Sequence, residues 1–184
     1  MTCSMVVNSK SGNTRMVSGA IKRALIAQGV EFVHAAAMAD NMEDEQIALE
    51  ADAASDADTV LVGFWCDKGT CTPAIAKLLG QLHGKRVFLF GTCGFGASED
   101  YFKQIIDRVS SNLPMDAELC GWSMCQGKMG PAVRERYEAM LEDNPEDERA
   151  RMLIANYDVA KSHPTKEDMD NMSAAAIKAI LPRK

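Results

Sequence analysis

The stretch Met5-Val6-Val7-Asn8-Ser9-Lys10-Ser11-Gly12-Asn13-Thr14 passes from an apolar run into a loop rich in hydroxyl and amide side chains. Residues 13–28 then place apolar side chains at helical spacing, so a buried strand, a loop and a helix are predicted in succession. The start of such a helix presents free backbone N–H groups to an anion, and Gly12 tolerates backbone conformations that other residues avoid. The loop carries neither the lysine-ended P-loop nor the G-x-G-x-x-G signature. We therefore expect it to bind a single phosphomonoester, as in a flavin mononucleotide (FMN); the alternative is an ordinary capped helix start.

Composition limits the classes of protein to which the chain can belong. It has 184 residues, of which 47% are hydrophobic and 25% charged, as expected for one globular domain with room for an appendage. The net charge of −6 argues against a nucleic-acid partner and suits a basic protein partner. No membrane-spanning stretch, signal peptide or zinc pattern is visible, so we expect a cytoplasmic protein with no membrane partner, free thiols and no metal. A monomer or weak dimer is expected.

Strand-like and helix-like segments alternate along the chain. The predicted strands are 3–8, 31–34, 59–64, 86–90 and 117–124, and the predicted helices between and after them are 13–28, 43–53, 72–82, 98–113 and 131–142. This alternation predicts an α/β fold with a doubly wound parallel sheet, in which ligands bind beyond the carboxyl ends of the strands. Composition changes after residue 142. Residues 143–184 are predicted to form a C-terminal helical appendage, ending near Leu181-Pro182, packed on a domain of residues 1–142.

Two further loops follow predicted strands and fall at the same edge of the sheet. Phe64-Trp65-Cys66-Asp67-Lys68-Gly69-Thr70-Cys71 places a tryptophan directly after a core strand, where its ring is suited to cover a planar ligand. Gly91-Thr92-Cys93-Gly94-Phe95-Gly96-Ala97 surrounds one phenylalanine with glycines, which let the backbone approach a flat ligand closely. The structural alternatives are that Trp65 caps the rim of the sheet and that Phe95 is tucked inward. Because the topology brings all three loops to one crevice, together they predict a flavin site.

The chain resembles the flavodoxin family over residues 1–142. The family's phosphate loop, Thr/Ser-x-Thr/Ser-Gly-x-Thr, is matched in full by Ser9-Lys10-Ser11-Gly12-Asn13-Thr14. The resemblance implies a five-stranded parallel sheet of order 2-1-3-4-5 and bound FMN. It also implies a set of cofactor-binding residues drawn from the three loops: Ser9, Ser11, Gly12, Asn13, Thr14, Phe64, Trp65, Cys66, Asp67, Lys68, Gly69, Thr92, Cys93, Gly94, Phe95 and Gly96. Many flavodoxins stack a tyrosine of the third loop on the flavin, whereas Phe95 stands nearest here and Tyr101 falls inside a predicted helix. The C-terminal helices are more typical of an atypical subfamily.

Three functions are compatible with such a site. The favoured one is low-potential electron transfer by FMN to a redox partner protein, a reductase or an acceptor enzyme, with no catalytic side chain of its own. Segment 40–58 carries eight acidic and no basic residues and is a candidate docking surface, unless it is simply a solvated face. The alternative is an FMN-dependent reductase of a quinone, azo or tetrapyrrole substrate. A third possibility is a redox-sensing module that uses Cys66, Cys71 and Cys93, unless these are simply buried thiols.

Overall fold

Five parallel strands form one sheet in the order β2-β1-β3-β4-β5, as the resemblance implies. We describe the fold from a computed structural model, which covers residues 1–96 and 98–181; Ala97 of the third loop and Pro182, near the predicted end of the last helix, lie outside the described residues. The strands are β1 (Thr2–Asn8), β2 (Glu31–Met38), β3 (Thr59–Trp65), β4 (Arg86–Cys93) and β5 (Glu118–Gln126). The helices are α1 (Asn13–Ala27), α2 (Asp44–Ala54), α3 (Pro73–Leu79), α4 (Glu99–Ser110), α5 (Pro131–Asp143), α6 (Glu148–Ala160) and α7 (Lys166–Ile180).

The helices cover both faces of the sheet and enclose an apolar cluster on each. One cluster lies under α2, α3 and α4 and includes Val62, Ile75 and Ile105. The other lies under α1 and α7 and includes Ile21 and Phe88. The central strands β3 and β4 are apolar on both faces because both faces are buried, as expected for a parallel sheet.

Side-chain caps begin α4 and α7, whereas α3 lacks one. The Ser98 hydroxyl accepts a hydrogen bond from the Tyr101 N–H and so caps α4. Thr165 and Asp168 form the capping box of α7. Thr72 occupies the N-cap position of α3, but its hydroxyl donates to Asn8 Oδ1 at 3.3 Å instead of capping the helix. That hydroxyl therefore ties α3 to the end of β1.

Two strands, β2 and β4, extend three or more residues beyond the ends that their sequence pattern predicts. β2 continues through three alanines to Met38, because Ala35 to Ala37 pair with Met5 to Val7 of β1 and neighbour pairing outweighs their weak strand preference. β4 continues to Cys93 and pairs with β5 along its whole length. Thr92 and Cys93 are therefore the last residues of a strand, whereas the sequence placed them in a loop.

The C-terminal helices occupy two different places. α7 packs against α1 and β5, and its buried residues Met172, Ala176 and Ile180 belong to the same cluster as Ile21 of α1. Helices α5 and α6 pack against each other, with Arg134 of α5 paired to Asp158 of α6 at 2.8 Å. The division of the chain at residues 142 and 143 stays a prediction. Over the part of the chain that the structure covers, no helix is both long and apolar enough to span a membrane.

Candidate functional site

The three predicted loops leave the sheet at one edge. β1 pairs with β3 and β3 with β4, all in parallel, with Val7 opposite Gly63 and Trp65 opposite Thr92. The carboxyl ends of these strands therefore lie side by side, and the chain between β1 and β2 crosses to the other side of β1, so strand order reverses between β1 and β3. That is where doubly wound sheets bind their ligands.

The first loop wraps around the start of α1. Gly12 is the N-cap residue with φ +88°, and a Cβ added to it would meet open space. The Ser9 hydroxyl accepts from the Arg15 N–H at 3.2 Å, and Asn13 Nδ2 donates to the Ser11 hydroxyl at 3.0 Å. The backbone N–H groups of the first helical turn have no carbonyl partner within the helix, so this end favours an anion.

Two buried side chains fix this loop to the rest of the site. The hydroxyls of Thr14 and Thr92 hydrogen-bond at 2.9 Å, which connects the start of α1 to the end of β4 across β3. Asn13 Nδ2 also donates to the carbonyl of Lys128 at 2.8 Å. Its Oδ1 is buried and has no partner among the described residues. A buried acceptor of this kind is unfavourable unless it is satisfied, and a ligand hydroxyl at the helix start would satisfy it.

The second loop begins with a tryptophan that is held at the edge of the sheet. Trp65 is half-buried, and its Nε1 donates to Asp40 Oδ1 at 3.1 Å. The same oxygen accepts from Asn8 Nδ2 at 2.8 Å, and Lys10 Nζ lies 4.8 Å from the centre of the Trp65 ring. The indole is thus oriented by Asp40 and Lys10, and Asn8 holds Asp40 in place. By contrast, Phe64 is fully buried in the core, and its cofactor-binding role stays a prediction.

A tight turn follows the tryptophan. Asp67 and Thr70 exchange two backbone hydrogen bonds, at 2.8 and 3.0 Å, around Lys68 and Gly69, which have φ +50° and +85°. Positive φ at both central positions defines a type I′ turn. Arg108 of α4 donates from Nη1 to the Gly69 carbonyl at 3.0 Å. The turn is therefore held in one conformation at the rim of the crevice.

The third loop is shaped by an aromatic pair and by α6. Phe95 is half-buried and packs edge-on against Tyr101, with ring centres 6.2 Å apart. Gly96 has φ +78°, and a Cβ there would lie 2.6 Å from Tyr101 Cδ1. The Gly94 carbonyl accepts from Asn156 Nδ2 at 3.0 Å and from Gln126 Nε2 at 3.2 Å. Helix α6 thereby reaches the crevice.

Two thiols lie at the base of the second and third loops. The pKa of the Cys93 thiol is lowered to about 7, because the Cys66 thiol, the Phe95 N–H and the Tyr101 hydroxyl all donate to its sulfur, although burial opposes the shift. Donation to Cys93 and burial both raise the pKa of Cys66. Burial also raises the pKa of Cys71. Among the residues described, no cluster of three His, Cys, Asp or Glu side chains is arranged to hold a metal.

Three contacts of the site have no local sequence signal. Asp40 follows β2, Arg108 lies on α4 and Asn156 on α6, and each acts on a loop that is distant in the chain. Only the position of Asp40 gives a weak indication in the sequence, because its carboxylate follows β2, which ends at the same edge of the sheet as the three loops. Together the donors of the first loop and the aromatic rings of the other two fit a phosphate at one end and a planar ring at the other.

Known proteins are similar to this chain, some in sequence and some in fold alone. A family model described as a flavodoxin domain matches residues 4–177. The flavodoxin-like domain-containing protein BilS of Clostridium symbiosum (strain WAL-14163) is 37% identical over 177 residues, with 92% of this chain and 90% of that protein covered. An azoreductase from Bacillus anthracis str. Sterne has a similar structure, with TM-score 0.56, 11% identity and coverage of 97% of this chain and 100% of that one. A short-chain flavodoxin associated with a non-canonical PDU bacterial microcompartment gives TM-score 0.52, 13% identity and coverage of 98% and 97%. At these identities the two structures share the fold alone.

Replacing Gly12 with alanine tests the first loop. A Cβ in the left-handed region costs about 1–2 kcal/mol, and the free loop relieves that strain by leaving the conformation that FMN binding must restore. We expect the dissociation constant for FMN to rise about 5- to 30-fold in a fluorescence titration. Gly130→Ala is the matched control, because its Cβ also meets open space but its φ is −70°. Equal FMN affinity in the two variants would contradict this role for Gly12.

Replacing Asn156 with alanine tests the contribution of α6. The change removes the hydrogen bond to the Gly94 carbonyl, worth about 1 kcal/mol, and also the one that Asn156 Oδ1 accepts from Gln126 Nε2 at 3.0 Å. The third loop then loses one of its supports, and we expect FMN affinity to fall about fivefold in the same titration. Met152→Ala, on the exposed side of α6, is the control and should bind FMN like the parent. If Asn156→Ala lowers the unfolding midpoint but leaves FMN affinity unchanged, the contact serves packing only.

Proposed function

The chain belongs to the flavodoxin family, whose cofactor is FMN, and we propose that it carries electrons to a redox partner protein through FMN bound at the carboxyl ends of β1, β3 and β4. The observation that carries this proposal is the meeting, at one edge of the sheet, of an anion-binding helix start, an oriented tryptophan and a fixed type I′ turn. A phosphate site without ring-flanking groups would suit many ligands. The combination suits a flavin mononucleotide.

We propose that each of the three loops binds a different part of FMN. The proposed binding site for the phosphate consists of Ser9, Ser11, Thr14 and the N–H groups of the first turn of α1. The Thr14 hydroxyl already bonds Thr92, so its part there is to position the helix start. Trp65 is proposed to flank one face of the flavin ring. Phe95 is proposed to line the opposite side of the crevice. When bound, FMN supplies the electron transfer, and the protein supplies orientation and charge.

The turn between Asp67 and Thr70 is proposed to act at the edge of the ring. Backbone carbonyls of residues 67–69 are suited to accept a hydrogen bond from a ring nitrogen that gains a proton on reduction. The Gly69 carbonyl already accepts from Arg108 and the Asp67 carbonyl from Thr70, each at 3.0 Å, so the Lys68 carbonyl is the acceptor we propose for this bond. The net charge of −6 disfavours adding negative charge to a bound ring and so favours a low potential.

The acidic segment 40–58 divides into two parts that face different ends of the molecule. α2 begins at Asp44, just after the carboxyl end of β2, so residues 40–45 lie beside the proposed FMN site. Asp58 accepts from the N–H of Thr2 at 2.8 Å, at the start of β1, which is the opposite edge of the sheet. We therefore assign docking of a basic partner to residues 40–45, and not to the segment as a whole.

An anaerobic potentiometric titration of the FMN-loaded protein tests the function. An electron carrier that stabilises one-electron reduction should show two separate one-electron steps, because the turn offers a hydrogen bond that depends on the redox state. It should also fail to oxidise NADH or NADPH when a quinone or an azo dye is the only acceptor. A single two-electron step together with steady oxidation of either nucleotide would instead support a stand-alone reductase.

Glu45→Lys tests the docking surface. Glu45 is exposed in the first turn of α2, and reversing its charge beside the site should weaken attraction to a basic partner. We expect reduction of a basic c-type cytochrome by the reduced protein to slow several-fold at low salt, measured by stopped flow. The difference should vanish at high salt. Asp52→Lys changes net charge equally but lies further along α2, so it is the control. Equal slowing in both variants would point to net charge alone.

A further inference from the structure

Cys66 and Cys93 face each other across neighbouring strands. The pairing of β3 with β4 sets Phe64 opposite Gly91 and Trp65 opposite Thr92, and one step further the register brings Cys66 opposite Cys93. The Cys66 N–H donates to the Thr92 carbonyl at 2.9 Å, so the ladder continues to this point. Both side chains pack on the same cluster, under α3 and α4. The two thiols thus share one face of the sheet.

Their separation suits a covalent bond. Neighbouring strands lie about 4.8 Å apart, which is within the range of about 4.4–6.8 Å between the Cα atoms of disulfide-bonded cysteines. Because the two residues lie opposite each other on one face of the sheet, their side chains are neighbours. Both are free thiols, and both lie at the ends of strands, where small backbone shifts are easiest.

The two cysteines have different chemical characters. The Cys66 thiol, the Phe95 N–H and the Tyr101 hydroxyl lower the pKa of the Cys93 thiol, which favours its thiolate form. The thiolate is the nucleophilic form. Cys66 has a raised pKa and stays protonated, with its proton directed at Cys93. Cys93 is thus suited to be the attacking nucleophile, and Cys66 is suited to react with the oxidised Cys93 in the second step.

We propose that Cys66 and Cys93 are a hydroperoxide-reactive pair that closes reversibly to a disulfide beneath the loops that flank the proposed flavin ring. The Cys93 thiolate attacks one oxygen of hydrogen peroxide, the O–O bond breaks, and the departing hydroxide takes a proton to become water. This leaves a sulfenic acid on Cys93. The Cys66 sulfur then attacks the Cys93 sulfur, the S–O bond breaks, and the released hydroxide takes the Cys66 proton. In sum, two thiols and one peroxide give one disulfide and two waters.

Burial decides which oxidant the pair accepts. Cys93 is only 6% exposed, so its sulfur is reachable by a small uncharged molecule and not by a bulky disulfide such as oxidised glutathione. Hydrogen peroxide meets that requirement. Cys66 is more exposed, so the disulfide, once formed, offers its Cys66 sulfur to an external dithiol that restores both thiols. Oxidation is therefore proposed to begin at Cys93 and reduction at Cys66.

Mass spectrometry of the FMN-loaded protein tests the proposal directly. After brief treatment with a small excess of hydrogen peroxide, free thiols are alkylated under denaturing conditions. The six thiols present before treatment should fall by two, and the digest should contain one cross-linked peptide pair joining Cys66 to Cys93. Dithiothreitol should restore all six. Six alkylated thiols after treatment, a different cross-link, or over-oxidation of Cys93 without a cross-link would overturn the proposal.

Variants separate the two roles. Cys66→Ser should stop the reaction at a sulfenic acid that dimedone traps on Cys93, and Cys93→Ser should abolish both products. Tyr101→Phe removes one donor to the Cys93 sulfur and should slow the first step several-fold. Cys71→Ser, in the same apolar cluster, is the matched control and should leave the cross-link intact. Trapping on Cys66 instead of Cys93 would overturn the assignment of roles, and the measurement on the parent protein stands even if a variant does not fold.

Discussion

Parallel pairing of β1 with β3 and of β3 with β4 is the constraint on which the rest of the molecule depends. It places three carboxyl ends side by side, and the chain that leaves each of them must turn at the same edge. The buried bond between the Thr14 and Thr92 hydroxyls then locks the start of α1 to β4 over the intervening strand. With these fixed, a polar loop, a tryptophan and a glycine-rich turn become one site, although they are some 80 residues apart in the chain.

The C-terminal part of the chain supports this edge from outside the sheet. Lys128 accepts from Asn13 through its carbonyl and donates its N–H to the carbonyl of His163, so the first loop is tied to the connection between α6 and α7. Asn156 supports the third loop through the Gly94 carbonyl. The helices beyond β5 thus contribute to both ends of the proposed FMN site, which gives them a role beyond covering the core.

The sequence predicts those parts of the structure that are determined locally. The apolar runs, the helix periodicity and the strand order implied by the family resemblance were all confirmed. The strand ends were less predictable, because Ala35 to Ala37 become a strand only through pairing with β1. Asp40, Arg108 and Asn156 act on distant loops through single hydrogen bonds, and no pattern of neighbouring residues encodes a partner so far along the chain. The binding roles of the sixteen predicted site residues stay predictions.

The contact between α1 and α7 joins the second and the last of the described structural elements. During synthesis, α1 can pack on β1 and β3 early, but the part of the same sheet face over β4 and β5 lacks the cover of α7 until residues 166–180 have left the ribosome. The sheet can assemble strand by strand, but part of one face stays exposed until that moment. Such long-range closure slows folding and leaves incomplete chains open to aggregation and to chaperones. A chain that lacks α7 would therefore expose apolar surface of the sheet, which chaperones and proteases recognise.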